Sequence, residues 1–377
     1  MTGGKMSGVK SKKILKYTFL SVLIGTLIIF IITVNLLVHI DGLAEDITRT
    51  FARKLNYLIS RVTICVPFSV TEFSVCVLVF VIVAAIAFII YSLVKKRWKN
   101  ILDTVLALTV VVLIAVSVFN MTSTFGYYRD DVLTAFGIEE TDVNEERIDE
   151  ALRYYISKLN ETEKSVQRDD EGNPICPYTV EEMAELVYGE YERLDTGGYL
   201  ASHRVGVKPV AMSEIMAYTG IIGVCMPLTG EISVNAKAYP SAFPELIAHE
   251  IAHSKGAHRE NDANFTAYYL LLKSENDFLS YSAANSVVNV LLSSLKKTDE
   301  DMFEERYFSV SENVRNEWKL ESKYYEKYNG FIEKISEAIN NIFLKSNGVQ
   351  NGTASYSDTV KYIISAFYHE KGAQIGL

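Results

Sequence analysis

Cysteine is scarce in this 377-residue chain: Cys65, Cys76, Cys176 and Cys225 are the only four, and no two form a CxxC pair. That argues against a thiolate zinc knot and against a disulfide-dense scaffold, while leaving Cys176 and Cys225 able to form a single bridge. There is no G-x-S-x-G elbow, no P-loop and no GxGxxG segment, so neither a serine hydrolase nor a nucleotide-binding protein has support. No internal repeat is visible. Histidine is also rare, with six in all, yet His249, His253 and His258 fall within ten residues.

Charge is unevenly spread. Residues 1 to 126 carry 13 Lys and Arg against 5 Asp and Glu, a net of +8, whereas the remainder carries 24 against 41, a net of −17. An acidic part of that size repels nucleic-acid phosphates and anionic headgroups, so no nucleic-acid partner is expected.

Long apolar runs dominate the basic part, their only Lys, Arg, Asp or Glu being Lys16 and Asp103, each near the start of its run. "LKYTFLSVLIGTLIIFIITVNLLVHI" (15–40), "FSVCVLVFVIVAAIAFIIYSLV" (73–94) and "ILDTVLALTVVVLIAVSVF" (101–119) each match the roughly 20 residues that cross a bilayer core. The first is too long for a signal-peptide core and lacks a small-residue cleavage site. Three transmembrane helices put the termini on opposite sides. Lys5, Lys10, Lys12, Lys13 and Lys16 before the first, and Lys95, Lys96, Arg97 and Lys99 after the second, predict a multi-pass cell-membrane protein with a cytoplasmic N-terminus. Residues 127–377 are then extracytoplasmic, and residues 1–126 form the membrane domain.

Between the first two spans, Ile47, Phe51, Leu55 and Leu58 recur at helical intervals. They predict an amphipathic helix lying on the outer membrane surface or against the ectodomain. Beyond "GYYRDD" the texture is that of a mainly α domain with a small β-sheet. "TDVNEERIDEALRYYISKLNETEKSV" and "VEEMAELVYGEYERL" read as amphipathic helices, "GIIGVCMP" and "GEISVNAKAYP" as strands, and residues after 243 as helices, apart from a loop at "KSNGVQNGTASYSD".

The chemistry sits in "FPELIAHEIAHSKGAHRENDANF" (243–265). His249 and His253, four residues apart, share one helical face and form a bidentate arm for Zn²⁺. Glu250 projects toward the open side of such a metal, where it can take a proton from water and return it to a leaving amine. Leu246, Ile247, Ala248, Ile251 and Ala252 are uncharged, as a buried supporting helix requires. Gly256 is placed to end that helix in a left-handed cap and turn the chain back. Glu260, in the first turn of the next helix, is the expected third ligand, and His258 is the alternative. Asn264, one turn further, or Asp262 is the candidate to hold the outer nitrogen of a ligating histidine. The strand at Gly230–Ala236 is a candidate edge for pairing with an extended peptide.

The segment "YTGIIGVCMPLTGEISVNAKAYPSAFPELIAHEIAHSKGAHRENDANF" resembles the DUF3810 family, bacterial membrane proteins with an N-terminal transmembrane region and a zincin-like HExxH segment. "PFSVTEF" and "FGYYRDDV" resemble it too. Where many members read RE-acid-EAN, this chain has "RENDAN", which keeps Glu260 and Asn264 and shortens the acid at Asp262. The "ExxAN" of Glu260, Ala263 and Asn264 is also similar to the "ExxAD" of gluzincin metallopeptidases, which implies zinc binding by Glu260, although gluzincins place their glutamate much farther downstream. A donor for the developing oxyanion is sought among His203, Tyr268, Tyr281 and Tyr356. The expectation is a membrane-anchored zinc metallohydrolase, a peptidase with a polypeptide substrate or partner outside the membrane. Two readings stay beside it: an inactive zincin-fold binding or signalling protein, and a structural membrane protein with an incidental HExxH.

Overall fold

The computed structural model describes residues 3–349 and 356–375. Helices dominate. Gly3–Leu37, Val70–Val94 and Trp98–Thr122 are the long apolar helices, and their most apolar windows are 6%, 0% and 6% buried, as expected of surfaces facing lipid. Lys16 and Tyr17 of the first helix both bond Asp103 of the third, each at 2.9 Å.

A fourth helix, Asp277–Thr298, is also long and apolar enough to cross a membrane, so four candidates stand where the sequence reading counts three. Its window is 72% buried inside the protein, and its mean hydropathy of 1.2 lies far below the 2.6 to 3.2 of the others. A helix that is apolar on most of its circumference can be buried by protein instead of lipid. Val287, Val288 and Leu291 pack against Ile148, Leu152 and Leu159 of the helix Glu145–Thr162 and against Ile363 and Ile364 of Tyr356–Ile375.

The second core surrounds a three-stranded sheet of β1 (Val207–Val210), β2 (Gly223–Met226) and β3 (Glu231–Asn235), in the order β1-β3-β2. β1 runs parallel to β3 with Val207 opposite Ile232, and β2 runs antiparallel with Val224 opposite Ser233. The expectation that Gly230–Ala236 offers a free edge is therefore corrected: β3 is central, and β1 and β2 are the edges. β1, with Pro209 in it, escaped the sequence reading because proline and a lysine interrupt its apolar pattern. The four cysteines are unpaired, so Cys176 and Cys225 form no bridge.

The membrane-proximal parts are bonded into the sheet. Lys208 donates to Glu231 Oε2 (2.7 Å) and to the carbonyls of Thr63 (2.8 Å) and Phe68 (3.1 Å). Glu231 Oε1 accepts from the Thr71 N–H at 2.6 Å, in the first turn of the second long helix. The connector folds as Leu43–Ile47, a π-helical turn Thr48–Ala52 and Arg53–Thr63, and it lies against the globular part. Ala44, Thr48, Ala52 and Ser60 are buried, while Phe51 and Leu58 of the anticipated stripe face outward. The loop expected at 345–358 falls partly outside the described residues.

Candidate metal centre

The motif helix runs Phe243–Ser254, begins with Pro244 in its first turn and buries Leu246, Ile247, Ala248, Ile251 and Ala252. Its apolar back fixes its rotation in the core, which leaves His249 and His253 together on the other face. Their rings lie 4.5 Å apart, centroid to centroid, at 85°. The helix stops at Gly256, whose φ of +106° disfavours any side chain, and the Ala257 N–H reaches back five residues to the Ala252 carbonyl at 3.0 Å. That reversal delivers Glu260 at the start of the next helix, Glu260–Leu271.

Glu260 Oε2 lies 3.3 Å from His249 Nε2, and Oε1 lies 3.8 Å from His253 Nε2. One donor atom from each of the three residues falls within 4.8 Å of the others. Donors about 2.1 Å from a tetrahedral zinc stand roughly 3.4 Å apart, so the group needs to contract by about 1.4 Å at most. His253 Nδ1 faces the Ala257 carbonyl at 2.8 Å; donating there leaves Nε2 with its lone pair toward Glu260. His249 Nδ1 is buried without a partner. Both observations fit a His₂Glu metal site.

The electrostatics fit as well. Burial pulls the His249 imidazole down, but Glu260, Glu250 and Glu245 outweigh it and push it up to about 9. Burial raises the Glu260 carboxyl, yet the two histidines hold it well below the usual range. Glu250 is 6% exposed, and burial raises it, partly offset by His249 and His253. Its carboxylate lies against β2, where the Cys225 backbone N–H bonds it and a Cβ on Gly223 would stand 2.7 Å from Oε1. Further back, burial and the Glu317 and Glu245 carboxylates push Glu321 up to about 7. Glu245, Glu250 and Glu260 gather around His249, an arrangement that suits a bound cation.

The other expected residues are placed differently. His258 is outside the donor group: it is 8% exposed, burial pushes it down to about 3, and it packs against Gly126 and the ring of Tyr127, 5.7 Å away. Asp262, 1% exposed, pairs with Arg259 at 2.7 Å and accepts from the Val132 N–H at 3.3 Å, so its role is to tie the next helix to the 130s segment. Asn264 is half-buried in the turn after Glu260, but the outer nitrogen of His253 goes to Ala257 instead. Tyr281 donates to Glu317 at 2.6 Å and Tyr268 lies in the core. His203 packs on Tyr57, and burial pushes it down to about 4. The Tyr356 side chain lies outside the described residues.

Two residues that sequence reasoning missed belong to "FGYYRDD", directly after the third long helix. Tyr127 is half-buried, its ring packs on His258 in the turn between His253 and Glu260, and burial together with the charge of Glu260 raises its phenol. Arg129 has a fully buried side chain. It donates to both oxygens of Glu45 (2.5 and 2.9 Å) and to the carbonyls of Gly256 and Tyr199 (both 2.9 Å), and it stacks 3.9 Å from the Tyr199 ring centroid. It thereby pins the turn between the two halves of the site. The one available signal was the family-like wording of the segment itself, since no spacing rule links residue 127 to residue 260.

No curated protein and no solved structure matches the chain. The model of one family, described as "Protein of unknown function (DUF3810)", matches residues 48–364, which include the second and third long helices, the sheet, the donor group and the Arg129 turn. The chain belongs to the DUF3810 family.

Proposed function

We propose that this protein is a membrane-anchored zinc metallohydrolase that cleaves peptide bonds outside the membrane, with a zincin-like site in which His249, His253 and Glu260 hold the metal. The observation that carries the reading is the convergence of those three donors with Glu250, a buried carboxylate, beside them. Bound zinc would act as a Lewis acid and bring the pKa of a water toward about 7. Glu250 would take the proton from that water and later donate it to the leaving amine. Its raised pKa makes it a stronger base than an exposed carboxylate. Tyr127 is the group we assign to stabilise the developing oxyanion through its hydroxyl. β2, the half-exposed edge strand beside Glu250, offers main-chain partners to an extended peptide.

The positive clusters on the opposite side of the three spanning helices from the globular part support a cytoplasmic N-terminus and an extracytoplasmic site. The test is hydrolysis of an unstructured protein by the full chain with zinc. Wild type should cleave, Glu250→Gln should lose roughly 10²- to 10⁴-fold while keeping its metal, and Tyr127→Phe should lose rate without losing metal. Equal cleavage by wild type and Glu250→Gln would refute the assignment.

A further inference from the structure

The helix Phe331–Ser346 is built the wrong way round for a water-soluble surface. Ile332, Ile335, Ile339 and Ile342 lie along one stripe at helical spacing and are 57%, 44%, 62% and 68% exposed. The opposite side meets the protein near its two ends, where Leu344 is 1% exposed and Glu333 lies against Gly220, an added Cβ there standing 3.3 Å from it; Glu337 and Asn340 between them are exposed. An apolar stripe of this length facing outward marks an interaction surface.

Its two ends say what covers it. At the C-terminal end Phe343 packs 5.5 Å from Phe119, in the last turn of the third long helix, and Gly348 closes on Tyr128, whose ring meets His39 just past the first helix. At the N-terminal end Gly220 closes a segment whose Ala211 and Met212 N–H groups donate to Glu72 (2.9 and 2.7 Å), in the first turn of the second long helix. Met212, Ile215 and Ile221 of that segment are exposed as well. The stripe is therefore continuous with the same-side ends of all three outward-facing apolar helices.

We propose that Phe331–Ser346 is a monotopic helix that lies in the outer leaflet of the bilayer with its isoleucine stripe at the headgroup–acyl boundary. Glu333 and Glu337 balance Lys334 and Lys345, so the contact is apolar and independent of anionic lipid. The Tyr127 ring meets both Phe343 and His258, which connects this helix to the turn between His253 and Glu260. On the metallopeptidase reading, the substrate is then a polypeptide segment held at the membrane surface, not one diffusing freely.

The test uses the full chain in phosphatidylcholine liposomes, with its four cysteines replaced by alanine and a nitroxide placed in turn at Ile335, Ile339, Ile342, Glu337 and Asn340. The expected result is severalfold higher collision with oxygen than with a water-soluble nickel chelate at the three isoleucine positions, the reverse at Glu337 and Asn340, and no change on adding anionic lipid. Nickel access at the isoleucines equal to that at Glu337 overturns the proposal. So does protection from both reagents, which would show a covering protein such as a second copy. Wild-type chain in liposomes bearing a photoactivatable phosphatidylcholine gives the same answer without substitutions: lipid adducts on 331–346 support the helix in the leaflet, and adducts confined to the three long helices refute it. Zinc content of the same samples separates the two claims, because loss of the metal reading leaves these lipid contacts unchanged.

Discussion

Replacing Arg129 should damage both stability and the proposed metal site, since one buried guanidinium bonds at once to the connector, the Tyr199 segment and the Gly256 turn. Arg129→Ala would leave the Glu45 carboxylate, 18% exposed, with only the more exposed Arg49, and the Gly256 and Tyr199 carbonyls without their donor. Removing one partner of a buried ion pair costs about 3–5 kcal/mol. For a globular part of this size each kcal/mol moves the thermal midpoint by about 2–4 °C, so the loss should be roughly 6–20 °C. Arg129→Lys should recover only part, because an ammonium cannot reproduce the bidentate contact. Thermal unfolding in mild detergent, beside zinc titration of each variant, is the assay. Loosening the Gly256 turn should also weaken zinc binding about tenfold or more, the range seen when groups that orient metal ligands are lost. A midpoint within 2 °C of wild type with unchanged zinc affinity would refute the idea that this arginine positions the site.

Other consequences can be checked alongside. Burial raises Glu45, but Arg129 and Arg49 pull its carboxyl down to about 2, below its ordinary 4.5. A depressed carboxylate stabilises fully above pH 4.5 and stops doing so as pH falls through 2. The midpoint gap between wild type and Glu45→Gln should therefore be constant above pH 4.5 and narrow toward pH 2; a gap independent of pH would contradict it. Gly223→Ala places a Cβ 2.7 Å from both Glu250 Oε1 and Leu246 Cδ1, and should lower kcat about 10²-fold with zinc retained. Lys208→Ala strands the fully buried Glu231 between the sheet and the second long helix and should cost about 3–5 kcal/mol, much of it restored by adding Glu231→Gln, as read by thermal midpoints.

Much of the site was legible because it obeys local rules. Histidines four apart must share a helical face, a glycine can take the positive φ that reverses the chain, and an acid in the next first turn then arrives beside them. Long-range order was less legible. Nothing in "GEISVNA" says that β1, with its proline, covers one side of that strand and β2 the other. Asp262 looked like a neighbour of the metal from its position, yet the Val132 amide and Arg259 claim it from across the fold. Tyr127 and Arg129 come to the site only through packing of the segment after the third long helix. Hydropathy alone likewise separates Asp277–Thr298 from a spanning helix only by degree; its neighbours decide.

The most direct test of the central claim is metal content of the purified full chain by elemental analysis after dialysis, beside His249→Ala, Glu250→Gln and Glu260→Gln. The account predicts about one zinc per chain in wild type and Glu250→Gln, and strong loss in the other two. A folded wild-type chain without stoichiometric metal would contradict it and reduce "HEIAH" to a supporting helix.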